Sequence, residues 1–184
     1  MKKLNFVKVS KDNFLIAYEI QKNEWPHEPD LADFKNKASS NDPKNINFLV
    51  YLNETPIGIT GVYTTPESKD SLWLNWYTIK PEFRGLGYGR QILRDTINYA
   101  SKFNDIFYFR ADTNLMRNRP SSMLYIEEMD IIEKYTIEDT NEKQNGWYIC
   151  TKRLKDNVPL KCWNNINLHL RAHYDELESN TENN

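Results

Sequence analysis

Short apolar blocks, alternating with polar residues or recurring at helical spacing, divide the chain into elements. Leu4–Val9 sets Leu, Phe and Val against Asn and Lys and predicts a first strand. Ser10 is placed to cap the helix that follows, whose apolar face is Phe14, Leu15, Ala17, Tyr18, Ile20 and Gln21. A loop with Pro26 and Pro29 spans Asn23–Asp33, and a second short helix is predicted over Leu31–Ala38. Asn47–Leu52 and Ile57–Thr64 flank the turn Asn53-Glu54-Thr55-Pro56 and predict a hairpin. Leu72–Ile79 is an aromatic-rich strand that Pro81 stops, because proline has no N–H for the ladder. Glycine-rich Arg84–Gly89 leads into a helix with the stripe Ile92, Leu93, Thr96, Ile97 and Ala100. Ile106–Phe109 is another strand, Pro120 opens a further helix, and Ile131–Ile137 with Trp147–Arg153 forms a last hairpin.

The order β-α-α-β-β-β-α-β-α-β-β predicts a mixed α/β fold, one domain over residues 1–154. Residues 155–184 form a polar, Asn-rich extension. Trp163 and Ile166–Leu170 are its docking candidates, and Glu178–Asn184 is expected to fray.

Composition narrows the function classes. With 39 % hydrophobic and 27 % charged residues in 184, the chain can bury a core. Lys+Arg number 24 against 26 Asp+Glu, and the net charge of -2 argues against bulk electrostatic binding of nucleic acid. The best apolar runs, Phe48–Leu52 and Ile106–Phe109, are far too short to span a bilayer. The opening MKKLNFVKVSK is interrupted by Asn5, Lys8 and Lys11, so no signal peptide and a cytoplasmic location are expected. Cys150 and Cys162 form neither a metal spacing nor a disulfide framework. His169 and His173 lie at i, i+4 and could share a helix face, but Leu170 stands where a zincin needs Glu, so no metal is expected.

The chemistry lies in Ile79-Lys80-Pro81-Glu82-Phe83-Arg84-Gly85-Leu86-Gly87-Tyr88-Gly89-Arg90, between a strand and an amphipathic helix. A helix start offers N–H donors and a positive dipole end, glycines let phosphate approach the backbone, and Arg84 and Arg90 add guanidinium groups. A dinucleotide fingerprint fails because Arg90 stands where its third glycine belongs, and the G-K-[S/T] of a P-loop is absent. What fits is R-x-x-G-x-G, on Arg84, Gly87 and Gly89.

Trp76–Leu93 resembles the acetyl-CoA signature of the GNAT N-acetyltransferase superfamily, and Asn118, Ser121, Leu124 and Tyr125 match a second family motif. The resemblance covers about Leu4 to Leu154. It implies a mostly antiparallel, twisted central sheet, splayed at the acetyl-CoA site, with helices on both faces. It implies that backbone groups of Tyr77, Thr78 and Ile79 meet the thioester. The N–H groups of Gly85, Leu86, Gly87, Tyr88, Gly89 and Arg90 would hold the pyrophosphate, Asn118 the CoA arm, and Tyr125 would face the sulfur. An amine then attacks the thioester directly. A thiol near pKa ~8.5 and a tyrosine near ~10 make full proton transfer from Tyr125 uphill by roughly 2 kcal/mol, so its hydroxyl acts chiefly as a hydrogen-bond donor.

Two departures from the family pattern follow. After Tyr125 the run Ile126-Glu127-Glu128-Met129-Asp130-Ile131 lacks the usual glycine, making Asp130 the candidate for a left-handed position. A shifted register would put Ile126 in place of the tyrosine. The strand Ser71–Lys80 carries Asn75 but no carboxylate, which leaves Glu24, His27, Glu28 or Asp112 as candidate bases. Beside Trp25, the acidic loop suits a cationic amine acceptor. A catalytically silent CoA- or partner-binding module, a nucleotide-binding protein and a homodimer all remain open.

Overall fold

The computed structural model describes the backbone at residues 3–113, 120–137, 147–163 and 172–178. The elements run β1 (Leu4–Lys8), α1 (Phe14–Glu24), α2 (Leu31–Ser39), β2 (Ile46–Leu52), β3 (Thr55–Tyr63), β4 (Ser71–Ile79), a 3-10 turn at Pro81–Phe83, α3 (Tyr88–Ala100), β5 (Tyr108–Thr113), α4 (Pro120–Glu128), β6 (Ile131–Ile137), β7 (Trp147–Arg153) and β8 (Ala172–Glu178). The strand order is β1-β2-β3-β4-β5-β7-β6-β8. Pairing is antiparallel for β1/β2, β2/β3, β5/β7, β6/β7 and β6/β8, and parallel for β4/β5 over Ser71–Trp73 and Tyr108–Arg110. The fold is therefore mixed α/β, as the element order predicts, with the mostly antiparallel sheet that the family resemblance implies. It divides into two compact units, Met1–Tyr63 with Leu74–Tyr99 and Thr64–Trp73 with Ala100–Asn184.

In the first unit, helices cover both faces of the strands. Leu49 packs with Ala17 and Ile20 of α1 and Phe34 of α2, while its neighbour Val50 packs with Tyr88 and Ile92 of α3. Strict alternation would put Ile57 and Ile59 on one face. They are instead divided, Ile57 to α3 and Ile59 to α1 and α2. The cause is a bulge: Val50 pairs with Gly58 and Tyr51 with Pro56, so Ile57 is the extra residue. Gly58 is needed beside it, because a Cβ there would collide with the Thr78 carbonyl oxygen.

The predicted α1 face is corrected at Leu15, which is exposed, and the buried positions are Ala17, Ile20 and Gln21. Asn13, not Ser10, is the N-cap residue; its Oδ1 accepts from Ser10 N at 2.7 Å. Asp130 does not take the left-handed conformation, since among the described residues only Asn53 and Trp76 do so outside glycine. It instead ties the turn after α4 to β7: its carboxylate accepts from Arg153 N at 2.8 Å and Lys152 Nζ at 2.6 Å.

In the second unit, the fully buried Trp163 donates its backbone N–H to Glu133 Oε2 at 2.7 Å, and Glu133 Oε1 accepts from Tyr135 Oη at 2.6 Å. Strand β8 pairs with β6 from Ile132 to Ile137. His173 thus lies on a strand rather than on a helix shared with His169, which falls outside the described residues.

Candidate active site

Strand β4 ends at Ile79, the 3-10 turn follows, and α3 starts at Tyr88. Gly85 and Gly87 have φ of 75° and 82°, the left-handed region that favours glycine. The first intrahelical bond of α3 runs from Gln91 N to Gly87 O at 3.3 Å, so the donors of the helix start belong to the glycine loop. Residues Arg84 to Gly87 are exposed, Tyr88 is buried and Gly89 and Arg90 are half-buried. Tyr77 Oη donates to Gly89 O at 2.8 Å and pins the helix start to the strand. These features fit a site for a phosphorylated ligand: an exposed turn, stripped of Cβ atoms where the backbone is left-handed, at a dipole end.

Arg84 has a role that its motif does not announce. Its Nε donates to Ile79 O at 2.9 Å, and its Nη2 lies 2.5 Å from Glu24 Oε1. The guanidinium therefore ties the loop back to β4 and to the end of α1. Nearby, Ile20, Asn23, Glu24, Lys80, Pro81 and Glu82 line a cavity of about 250 Å³.

The acidic loop after α1 is organised by Gln21, which is fully buried. Its Nε2 donates to Glu28 O at 2.7 Å, and its Oε1 accepts from Asp30 N at 3.3 Å. Glu24 and Trp25 are half-buried, while His27 and Glu28 are exposed. The Trp25 ring meets Trp76 edge-on, with centroids 5.4 Å apart. Asp33, in the first turn of α2, accepts from Trp76 Nε1, Asn75 Nδ2 and Asn47 Nδ2, and pairs with Lys37. Burial lowers the Lys37 amine from its ordinary value, and Asp33 opposes that shift. The spacing Asp30-x-x-Asp33 before Phe34 is a recognisable helix-start signal, and Asp30 Oδ1 does accept from Asp33 N at 2.9 Å. Nothing in the local sequence announces that Asp33 reaches β4.

In the second unit Tyr125 lies on α4, 7 % exposed. Asp112 lies in β5 opposite Ile149, and burial raises its carboxyl to about 6 against the pull of its own backbone N–H. Asn118 lies outside the described residues. Among the described residues no three His, Cys, Asp or Glu side chains converge as a metal site, and no helix is long and apolar enough to cross a membrane.

A family model for the acetyltransferase (GNAT) family matches residues 12–129. No curated protein matches significantly. Among solved structures, the chain is similar to a GNAT-family acetyltransferase from Desulfovibrio desulfuricans, with TM-score 0.71 and 13 % identity over 83 % of this chain and 100 % of that one. It is similar to Arabidopsis thaliana NAA60 in complex with a bisubstrate analogue, with TM-score 0.67 and 11 % identity over 82 % and 98 %. It is also similar to the spermidine/spermine N-acetyltransferase SpeG from Vibrio cholerae, with TM-score 0.64 and 16 % identity over 84 % and 95 %. At these identities the likeness is one of fold.

Proposed function

Because the chain belongs to the GNAT acetyltransferase family, we propose that it moves an acetyl group from acetyl-CoA directly to a primary amine of a small molecule or peptide, cationic before it reacts. The observation that carries this is the glycine loop, left-handed at Gly85 and Gly87, at the head of α3 and anchored to β4 through Tyr77 and Arg84.

On this reading the N–H groups of Gly85–Arg90 and the α3 dipole bind the pyrophosphate. Backbone groups of Tyr77–Ile79 hold the thioester, and an N–H near Ile79 stabilises charge developing on its oxygen. Asn118 is assigned the CoA arm by its motif alone. Tyr125 donates a hydrogen bond towards the departing sulfur. Trp25, His27 and Glu28 form the acceptor wall, with Glu24 shared between that wall and Arg84. The amine must lose a proton before attack. His27 and Glu28 are exposed candidates for that step, and a carboxyl titrating at about 6 gives Asp112 the property a proton acceptor needs near neutral pH.

Calorimetric titration with acetyl-CoA, followed by free-CoA release over a panel of amines, tests the proposal. Binding with release by cationic amines, weakened by added salt and by Glu28→Gln, is expected. Binding without release from any amine would indicate a silent module, and displacement by ATP but not CoA a nucleotide-binding protein. Release only by neutral or anionic amines would remove the cationic acceptor.

A further inference from the structure

We propose that Asp33 is a positioning residue that holds a left-handed kink at Trp76 and thereby aims the Tyr77–Ile79 backbone. The functional half of this statement rests on the reading of that backbone as the thioester site.

Trp76 has φ of 42° in the middle of β4. A bulky L-residue does not adopt that conformation without cost, and such a residue persists only where its surroundings over-determine it. Here one carboxylate meets the polar ends of both Asn75 and Trp76. In a regular strand, neighbouring side chains point to opposite faces. Yet Asn75 Nδ2 and Trp76 Nε1 both reach Asp33 Oδ2, at 3.2 and 3.0 Å. The kink therefore turns two successive residues to the α1/α2 face, where Trp76 packs against the cluster of Ala17, Ile20 and Phe34. Beyond it, Tyr77 and Ile79 return to the face of α3.

The carboxylate is itself immobilised. Asn47 Nδ2 donates to Oδ2 at 3.0 Å, and Lys37 Nζ lies 3.1 Å from Oδ1. Asn75 Nδ2 also donates to Asn47 Oδ1 at 2.9 Å, which closes a ring of side chains from α2, β2 and β4. Three donors converge on Oδ2 and the Lys37 amine meets Oδ1, so the carboxylate is held from α2, β2 and β4 at once. Its geometry is that of a clamp. The Trp25 ring against Trp76 extends the clamp to the acceptor loop.

The test uses Asp33→Asn, which keeps the size but sets an N–H against groups that are themselves donors. The Trp76 indole N–H resonance, assigned with Trp76→Phe, reports the clamp without any activity. It is expected to leave its carboxylate-bonded position in Asp33→Asn. The turnover number is expected to fall about tenfold or more while acetyl-CoA affinity stays within about threefold, because the pyrophosphate is bound by N–H groups of Gly85–Arg90, none of which Asp33 contacts. Glycine adopts positive φ freely, so in a Trp76→Gly background the same Asp33 change should cost less than about twofold in turnover. If Trp76→Gly fails to fold, Trp76→Asn, which tolerates the left-handed region, takes its place. An unmoved indole resonance overturns the clamp. Turnover and affinity falling together, or an equal loss in the relieved background, overturns the positioning role. If the native protein binds no acetyl-CoA, the thioester reading fails alone, and the indole resonance still decides whether Asp33 holds the kink.

Discussion

Gly87, with φ of 82°, is where the proposed phosphate site is most exposed to a single change. Gly87→Val adds a β-branched side chain to a left-handed position on an exposed turn, so the cost falls on the loop rather than on the core. Acetyl-CoA binding is expected to disappear from calorimetry while the far-UV dichroism keeps its native form. Tyr125 is the opposite case, a buried residue whose hydroxyl is asked to act late in the reaction. Tyr125→Phe is expected to lower kcat by about tenfold or more and to leave acetyl-CoA affinity nearly intact. An unchanged kcat would make Tyr125 a packing residue and favour the shifted register. The turn at Gly85 and Gly87 is legible in the sequence because its spacing is local. The roles of Asp33 and Gln21, and the ties of Arg84 beyond its motif, are not: what defines them is a partner outside the local sequence, such as Trp76 for Asp33 or Glu24 for Arg84.

Elements are legible where periodicity and burial agree. The α3 stripe is one such case, with Ile92, Leu93, Thr96 and Ala100 all buried, and Thr96 Oγ1 meets Thr60 Oγ1 at 3.0 Å on the strand below. Strands β3 and β4 are themselves predicted, but the face each side chain takes is illegible where a strand breaks its own alternation, as β3 does at Ile57 and β4 at Trp76. Strand β8 escapes for a different reason: Ala172–Glu178 is rich in Asp and Glu, which strands disfavour. The close approach of β3 to β4 supplies the test at this scale. Gly58→Ala would drive a Cβ against the backbone oxygen of Thr78, with no flexible side chain to yield. A loss of about 1–3 kcal/mol is expected, read as a lowered urea midpoint with an unchanged slope.

At the scale of the whole molecule, the pH dependence of stability carries the mark of two carboxyls that the fold shifts in opposite directions. Asp112 titrates at about 6 in the fold, above its ordinary 3.8. Below both values the group is neutral folded or unfolded and carries no penalty. As pH rises through this window the unfolded chain ionises first, so this contribution to stability is lost by the time pH passes about 6. Asp70 works the other way. Burial raises its carboxyl, but the Ser71 hydroxyl and Lys161 outweigh that and leave it below its ordinary value, so its contribution is lost as pH falls. The difference between native protein and Asp112→Asn isolates the first term. Urea unfolding between about pH 4 and pH 7 should show the native curve declining relative to the variant by about 2–3 kcal/mol.

The extra residue at Ile57 also says how the hairpin tolerates changes in length. Gly58 keeps its partner Val50 and Pro56 its partner Tyr51, so both flanks of the bulge are already in the register of a regular ladder. A chain shortened by Ile57 alone would close that ladder with every remaining side chain on its present face. It would lose one core residue and the carbonyl that accepts from Lys80 N. A deletion anywhere else between Gly58 and Tyr63 would turn the rest of the strand inside out. Within β3, a gap in an alignment of related chains belongs at Ile57, where the fold already counts one residue more than its partner strand.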